Sequence, residues 1–500
     1  MNNKIDTQSA RSDDNRREPQ TQPLKGDVIQ KMQVPLQSSM LIDEESGPYR
    51  RLLDDACERA QVYLSNIHHR HVGVSQDALD GMSALGGTLS EVGEDPMDVL
   101  RLLDEAGSPA TMAIMGGRFY GGVIGGSLPV TVAAHWIADA WDQNACLYDL
   151  SPVSAHLEEV VLGWTIDLFG LPTKSAGALV TGTQMADVTA LAAARYALLD
   201  RAGWNVEENG LFGAPPISVI VGEEVHATML KSLSLLGYGR SRVHVVPSDA
   251  QGRMKASHIP RLTGPVVICA QLGNVNTGAC DPMDEICDVA ESMGAWVHVD
   301  GAFGLWAATS PSHKHLVEGF TRADSWATDG HKWLNVPHDC GIAIIKDSEA
   351  LRHAMSITAA YYGPLDKREP MQWCPESSRR ARGIELWAAL RSLGKRGISD
   401  LVDRTCRHAL TLARGLSVAG YDILNDVVIN QVLVSFGDDD TTRRVIDAVQ
   451  LEGTCWCGGT LWKGRKAMRI SVSSWATTES DIQKSLDAIL RVASDVRSRG

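Results

Sequence analysis

The sequence predicts an α/β fold, with a large and mostly parallel sheet followed by a smaller C-terminal α+β lobe. Short apolar runs rich in β-branched residues alternate with helical stretches, which is typical of a parallel sheet covered by helices. The chain has 500 residues, more than a single hydrophobic core usually serves. Two packed lobes are therefore expected.

The N-terminal region is expected to supply a tail and two helices. Residues 1–40 are polar and lack apolar periodicity, so they are interpreted as a disordered tail. Within residues 41–110, the spacing of apolar residues predicts helices over 49–67 and 96–106. This segment is too short for a core of its own, so we expect it to pack at a dimer interface.

Residues 111–370 are expected to form the large lobe. Helices are predicted in it over 185–199 and 281–293. Apolar runs predict buried strands over 217–221, 243–246, 266–270, 296–299 and 342–345.

Residues 371–500 are expected to form the small lobe. Its first helix is predicted over 383–393 and closed by Gly394. The chain is expected to end in strands and a terminal helix, which begins at a capping box of Thr478 and Asp481.

The composition disfavours several classes of function. The 47 basic and 61 acidic residues give a net charge of −14, which disfavours nucleic acid and anionic membrane surfaces as partners. No apolar run reaches the roughly 18 residues needed to span a bilayer, and the N-terminus lacks the apolar region of a secretory signal. Ten scattered cysteines suit reduced thiols. We therefore expect a cytoplasmic protein that is large enough to be an enzyme.

The segment WVHVDGAFGLWA, followed by DSWATDGHKWLNVPHDCG, carries the most chemical information. The strand predicted over 296–299 delivers Asp300 to its C-terminal end, where a buried carboxylate needs a cationic partner. Lys332 stands in an apolar setting that suits a nucleophile, and His331 precedes it. Taken singly, each residue is more often structural. Together they match a pyridoxal phosphate site, in which a lysine holds the aldehyde as a Schiff base and an aspartate pairs with the pyridinium nitrogen.

Two further segments fit such a site. The turn at Thr183 and Gln184 runs into a predicted helix, and N–H groups at a helix N-terminus can cradle a phosphate. A simple N-cap is the alternative interpretation. His226 lies between a strand and a helix, where its ring can stack on the cofactor, and a capping or packed histidine is the alternative.

Two other groups of residues are interpreted as structural. His68, His69 and His71 lie beside a predicted helix end without a matching ligand group, so a solvated loop is favoured over a metal site. Cys455 and Cys457 alternate on a predicted strand and are interpreted as packed rather than redox-active. No metal site is expected.

The sequence resembles the pyridoxal-dependent decarboxylases of the aspartate-aminotransferase fold, the group that includes aromatic amino acid and glutamate decarboxylases. The likeness runs from about residue 50 to residue 495. It is carried, in order, by WDQN, SP and LE, TGTQMADVTALAAAR, EEVHATMLKSLSLLG, GNVNTGACDP, HVDGAFGLWA, DGHKWLNVP and SSRRARGIELW. The fold that it implies is that of the pyridoxal-dependent transferases.

The resemblance also implies roles for individual residues. It makes Lys332 the Schiff-base lysine, Asp300 the partner of the ring nitrogen and His226 the ring-stacking residue. Thr183 and Gln184 then stand at the phosphate-binding positions, where the family often has alanine or serine.

Other implied contacts lie around this core of the site. Ala302 is expected under the ring, and His331 is expected to contact the cofactor. The family's cofactor-contacting threonine aligns with Val275, and one of the flanking residues, Asn274 or Asn276, is expected to supply the hydrogen bond instead. Tyr361 occupies the place of a mobile-loop tyrosine that protonates the α carbon.

Two departures from the family bear on the substrate. The glycine-rich stretch 121–126 and His338 stand where relatives with aromatic substrates place bulky side chains. Fewer aromatic walls, and a histidine that can hydrogen-bond or pair with an anion when protonated, favour a polar or acidic amino acid. A His338 that merely packs behind the lysine segment is the alternative.

The activity implied by the resemblance is decarboxylation of an L-amino acid to its amine and CO₂, in a homodimer whose subunits share their active sites. Another reaction on the same fold stays open: a carbon–carbon lyase, an aminotransferase, or an oxidative decarboxylation and deamination to an aldehyde. A pyridoxal-binding transcription regulator would need a basic helix-turn-helix, which residues 1–110 do not offer. A catalytically inactive scaffold is disfavoured by the retained lysine, aspartate and histidine.

Overall fold

The computed structural model describes residues 47–357 and 367–498. The chain divides into two compact units, Met1–Glu58 and Arg59–Gly500. In the first unit, the described residues are helical. The tail predicted over residues 1–40 lies outside the described residues, and so does Tyr361.

The described residues contain α-helices of very different lengths. They are α1 (Gly47–Asn66), α2 (Gln76–Gly81), α3 (Pro96–Leu102), α4 (Pro129–Trp141), α5 (Pro152–Leu168), α6 (Thr183–Arg201), α7 (Val206–Asn209), α8 (Ala227–Leu235), α9 (Met283–Glu291), α10 (Ser348–Met355), α11 (Gly383–Val418), α12 (Asp439–Glu452) and α13 (Glu479–Ser498).

The strands of the described residues are short and mostly buried. They are β1 (Ala176–Val180), β2 (Ser218–Gly222), β3 (His244–Val246), β4 (Val266–Gln271), β5 (Trp296–Asp300), β6 (Ser325–Asp329), β7 (Gly341–Ile345), β8 (Asp422–Ile423), β9 (Gln431–Ser435), β10 (Gly458–Trp462) and β11 (Arg465–Ser471).

The larger sheet has seven strands in the order β1-β7-β6-β5-β4-β2-β3. Strands β6, β5, β4, β2 and β3 pair in parallel, whereas β7 is antiparallel to both β1 and β6. Every strand except β7 therefore runs in one direction, and the C-terminal ends meet at one edge, where such sheets bind ligands. The predicted α/β fold with a mostly parallel sheet is confirmed.

The smaller sheet has four antiparallel strands in the order β10-β11-β9-β8. Val434 and Ile470 on its strands pack with Val445 of α12 and Ile489 of α13 in one buried cluster. Helix α13 begins as predicted, because Thr478 and Asp481 each hydrogen-bond the other's backbone N–H at 3.1 Å. This part of the chain has the predicted α+β character.

Helix α11 belongs to both hydrophobic cores. Leu386 packs in the core of the larger sheet, and Leu412 packs in the core of the smaller one. Gly394, with φ 58° and ψ 178°, leaves the helical conformation as predicted, but the helix then resumes and ends at Val418. It resumes because residues beyond the break, such as Val402, remain buried against the first core.

The predicted strands of the larger sheet agree with the structure to within one residue at each end. The helix predicted over 96–106 is α-helical only to Leu102 and continues as a π-type turn over Leu103–Gly107. The predicted lobe boundaries stay a prediction. In the described part of the chain, no helix combines the length and apolarity needed to cross a membrane.

Candidate active site

Asp300 is the last residue of β5, at the C-terminal edge of the larger sheet. It is 5% exposed, and Oδ1 accepts a hydrogen bond from the backbone N–H of Ala302 at 3.2 Å. Burial raises the pKa of Asp300, while Lys332 and His226 act in the opposite direction. Within the described residues no cation forms an ion pair with it, so a bound cation would stabilise this carboxylate.

Lys332 follows β6, the parallel neighbour of β5. Its Nζ lies 3.1 Å from Oδ2 of Asp329, the last residue of β6. Because the two strands end at the same edge, the charge of Lys332 acts on the pKa of Asp300. The structure therefore brings the predicted lysine and aspartate together.

His226 follows β2 and is the N-cap of α8. Its Nδ1 accepts a hydrogen bond from the Thr228 backbone N–H at 3.3 Å and lies 2.7 Å from Thr228 Oγ1. Burial lowers the pKa of His226, and Asp300 opposes this effect. The histidine thus caps the helix, as the alternative interpretation holds, and also lies close enough to Asp300 to influence it.

Thr183 is the first residue of α6, the helix that follows β1. Its backbone N–H donates to Oδ1 of Asp329 at 2.7 Å. Its Oγ1 is buried and has no hydrogen-bond partner among the described residues. The backbone oxygen of Gln184 accepts a hydrogen bond from Ser232 Oγ at 3.1 Å, which ties this turn to α8.

His331 and His338 form a stacked pair with their ring centroids 4.3 Å apart. Nδ1 of His331 accepts from the backbone N–H of Cys340 at 3.0 Å, and its Nε2 lies 3.6 Å from Asp329 Oδ1. Burial lowers the pKa of both histidines. The neutral ring is therefore favoured at His338, which weakens its predicted role as a charged partner of an anion.

The two candidate asparagines have different environments. Asn274 Oδ1 accepts the backbone N–H groups of Asn276 and Thr277, at 2.9 and 3.2 Å, and so shapes its own turn. Asn276 Oδ1 accepts a hydrogen bond from Thr460 Oγ1 of the smaller sheet at 2.9 Å. A contact of Asn276 with the cofactor stays a prediction.

The glycine-rich stretch 121–126 differs from the prediction at two positions. A Cβ at Gly121 would lie 2.3 Å from the ring of Trp456. A Cβ at Gly125 would lie 2.2 Å from Nδ2 of Asn335 and 2.7 Å from the backbone oxygen of Lys332. These glycines do not leave an open wall, because neighbouring groups already fill the space.

Asp187 and His298 form a buried pair beneath the site that the sequence analysis missed. His298 Nε2 lies 3.0 Å from Asp187 Oδ1, and its Nδ1 lies 2.9 Å from Ser325 Oγ. Burial, reinforced by the charges of Asp300 and Asp329, raises the pKa of Asp187, and burial lowers the pKa of His298 to about 3. Asp187 is in the TGTQMAD segment, but nothing in its spacing indicates that it meets His298.

Arg469 on β11 was missed as well. Its Nη1 donates to the backbone oxygen of Val275 at 3.5 Å, and its positive charge lowers the pKa of His226. Burial lowers the pKa of Arg469, and within the described residues no carboxylate pairs with it. A basic residue inside the otherwise buried MRIS strand was the available signal.

In the described part of the chain, no group of three or more metal-ligating side chains was found, and the histidines near residue 70 have other contacts. His71 instead lies 3.0 Å from the backbone oxygens of both Gly73 and Leu451. These contacts fasten a loop to the end of α12.

The residues at the sheet edge fit pyridoxal phosphate. Asp300 is a buried carboxylate that no cation among the described residues pairs with, as the partner of a pyridinium nitrogen should be. Lys332 supplies an amine at the same edge, 24% exposed. Thr183 offers a hydroxyl that has no partner among the described residues, at the N-terminus of α6, where a phosphate is favoured.

On this fold, such a site is typical of the pyridoxal phosphate enzymes of the aspartate-aminotransferase class. Residues 123–436 match the pyridoxal-dependent decarboxylase conserved domain. The chain therefore belongs to the pyridoxal-dependent decarboxylase family, as the resemblance implied, and pyridoxal phosphate is its predicted and confirmed cofactor.

Curated relatives are similar over different lengths. The acidic amino acid decarboxylase of Bos taurus is 31% identical over 313 residues, which cover 60% of this chain and 58% of that protein. The L-2,4-diaminobutyrate decarboxylase of Rhizobium meliloti is 26% identical over 451 residues, which cover 84% of this chain and 86% of that protein. The crystal structure of Oryza sativa TDC with PLP and tryptamine has a TM-score of 0.83 at 20% identity and covers 89% of this chain and 98% of its own. That likeness shows the fold.

Proposed function

We propose that this protein is a decarboxylase that converts an acidic L-amino acid to its amine and CO₂. The observation that carries the proposal is the meeting, at one edge of the larger sheet, of Lys332 and Asp300, a carboxylate that forms no ion pair within the described residues. Membership of the pyridoxal-dependent decarboxylase family supports it.

Each residue would contribute a separate part of the reaction. Bound pyridoxal phosphate supplies an electron sink for the electrons released at the substrate's α carbon. Asp300 would keep the ring nitrogen protonated, and Lys332 would hold the cofactor and return as an amine within reach of the α carbon. His226 would lie flat against the ring, fixed by its hydrogen bond from Thr228. Tyr361 stays the predicted proton donor.

Arg469 supports an acidic substrate. Among the described residues this mostly buried guanidinium has no carboxylate partner, which is costly, and a bound carboxylate would relieve that cost. Its charge reaches His226, so it faces the same site. Arg469 would therefore take the anion-pairing role that was predicted for His338.

The test measures CO₂ release and product identity with aspartate, glutamate, cysteine sulfinate, phenylalanine and tryptophan. Arg469→Gln should raise KM for the preferred acidic substrate at least about tenfold, the effect of losing one charge-assisted hydrogen bond. Arg465→Gln is the matched control, because Arg465 lies on the same strand and is half exposed. A preference for phenylalanine or tryptophan would refute the acidic substrate, and an aldehyde or keto acid product would refute simple decarboxylation.

The assembly that we propose is a homodimer, in the cytoplasm. Helix α4 supports a partner subunit, because Trp136, Ile137 and Trp141 are each between 43% and 50% exposed. Trp136→Glu should shift the mass measured by light scattering towards the monomer. Val418→Glu, at an apolar residue 90% exposed on α11, should leave the mass unchanged.

A further inference from the structure

A surface cleft beside the smaller sheet is lined mostly by cationic side chains. It has a volume of about 590 Å³ and lies between the loop at residues 68–71, the end of α12 and one face of α13. Its lining includes three histidines of that loop and four arginines or lysines, which are Arg70, Arg118, Lys484 and Arg491. The whole chain carries a net charge of −14, so this concentration of positive charge is local.

The two acidic side chains in the lining, Glu452 and Asp487, offset only part of this charge. Glu452 forms an ion pair with Arg491 and also accepts hydrogen bonds from the backbone N–H and the hydroxyl of Thr454, at 2.9 and 2.8 Å. Its carboxylate therefore shapes the loop after α12 as well as pairing with one arginine. Four arginine and lysine charges against two carboxylates leave two positive charges in excess before any histidine is protonated.

Arg118 and Lys484 present this excess charge in different ways. The Arg118 side chain is 13% exposed, and its Nη2 donates to the backbone oxygen of His68 at 2.7 Å, which fixes the guanidinium at the base of the cleft. Its nearest carboxylate, that of Asp481, lies 3.9 Å from Nε. Lys484 is exposed and forms no ion pair within the described residues. The cleft thus combines one positioned guanidinium with an amine that is available to a ligand.

His71 adds a conditional charge at the rim. Its Nδ1 lies 3.0 Å from the backbone oxygen of Gly73, and its Nε2 lies 3.0 Å from the backbone oxygen of Leu451. A carbonyl oxygen can only accept, so both nitrogens donate at once only when the ring is protonated. The surrounding backbone therefore favours the form of His71 that carries positive charge.

We propose that this cleft binds a small anion with several negative charges, of the polyphosphate or polycarboxylate type. Its volume lies within the range of ligand pockets, and a bound anion would relieve the repulsion between cations held close together. A small ion fits better than a nucleic acid, because the negative charge of the rest of the chain would repel a long polyanion. This inference is independent of the proposed decarboxylation, since none of the residues that line the cleft belongs to the cofactor site.

The experiment uses the full chain saturated with pyridoxal phosphate, so that a phosphate group already occupies the cofactor site. Tripolyphosphate and citrate are titrated by calorimetry in a buffer without divalent cations. One equivalent of anion should bind per chain, at least about tenfold more tightly than acetate, because more of its charge meets the cations. Affinity should fall as salt is added. Whichever of the two binds more tightly assigns the ligand to phosphate or carboxylate chemistry.

Lys484→Glu should weaken binding of the tighter anion at least about tenfold, because it replaces an attractive charge by a repulsive one. Lys174→Glu is the matched control, since Lys174 is also an exposed lysine but lies outside the cleft. It should bind the anion like the wild type. Arg118→Gln should weaken binding as well, and the visible absorbance of the bound cofactor checks that each variant is folded.

The absence of saturable binding by the wild type would overturn the proposal. Equal affinities of Lys484→Glu and Lys174→Glu would do so too, because the anion would then respond only to the overall charge. An anion that excess pyridoxal phosphate displaces would lie in the cofactor site and would likewise overturn it. None of these results bears on the amine product, so the proposed decarboxylation is tested separately.

Discussion

Replacing Arg379 by methionine should be one of the most damaging single changes next to the larger sheet. The Arg379 side chain is 1% exposed and forms an ion pair with Glu158, which is 4% exposed. Its guanidinium also donates to the backbone oxygens of Leu179 at 2.6 Å and Ala145 at 3.0 Å. Leu179 lies on β1, the strand that leads into the turn at Thr183.

The expected loss is about 3–5 kcal/mol of the free energy of unfolding. Removing one partner of a buried ion pair typically costs that much, because the other charge stays buried without compensation. Two backbone oxygens also lose a donor, which places the effect towards the upper end. Arg368 moderates the loss, since its Nη2 lies 3.8 Å from Glu158 Oε1. A domain with a stability of about 5–15 kcal/mol would keep little reserve.

Urea unfolding followed by circular dichroism measures this loss. Arg443→Met is the control, because Arg443 forms only exposed ion pairs, with Asp440 and Asp447, and should cost less than about 1 kcal/mol. The double variant Glu158→Leu with Arg379→Met should recover part of the stability, because no unpaired charge remains. If Arg379→Met unfolds at the same urea concentration as Arg443→Met, the reasoning is wrong.

Three further predictions concern single residues near the site. Asp300→Asn should stabilise the cofactor-free chain by about 1–2 kcal/mol in urea unfolding, because it removes a buried charge. The same change should slow turnover at least about hundredfold, and turnover equal to that of the wild type would contradict the role of Asp300. Burial raises the pKa of Asp281 to about 6, so the folded chain binds a proton that the unfolded chain has released above about pH 4. Stability should therefore fall by up to about 3 kcal/mol as the pH rises from about 4 through 6, and Asp281→Asn should remove that part of the slope in urea titrations at each pH. Gly125→Ala should place a methyl group against Asn335 and the Lys332 backbone and lower the free energy of unfolding by at least about 2 kcal/mol. An unchanged unfolding midpoint and normal cofactor binding would show that the neighbouring groups move aside at little cost.

The sequence predicted five of the seven strands of the larger sheet, but it did not reveal β1 or β6. Residues Ser325–Asp329 of β6 mix polar and apolar side chains without a regular period, although all of them are buried. The polar ones are satisfied by tertiary partners: Ser325 Oγ accepts from Trp296 Nε1 at 2.8 Å and contacts His298. A pattern of hydropathy cannot show such partners, because they come from a strand about 30 residues away in the chain.

Some residues of the site could likewise be found from the sequence, whereas others could not. Asp300 was found because a carboxylate at the end of an apolar run is visible in the sequence, and Lys332 because it stands in an apolar setting. Motif order supported His226 and Thr183. Asp329 and Arg469 were missed. The sequence does not show that Asp329 contacts both Lys332 and the Thr183 backbone. Nor does it show that Arg469 is largely buried with no carboxylate partner among the described residues. Both properties are fixed only when β6 and β11 are placed beside the turn at Thr183 and the loop at Val275.

Helix α11 carries a consequence for dissecting the protein into fragments. Its first half completes the core of the larger sheet and its last turns complete that of the smaller one, so a cut near residue 370 would strip Leu386 from one core. A polypeptide that ends there should be insoluble when expressed alone. Cutting instead at Gly394, where the helix already breaks, should give two fragments. When they are expressed in the same cell, they should associate and fold together. The parts of the chain around the two sheets would then depend on each other for stability, because α11 contributes side chains to both hydrophobic cores.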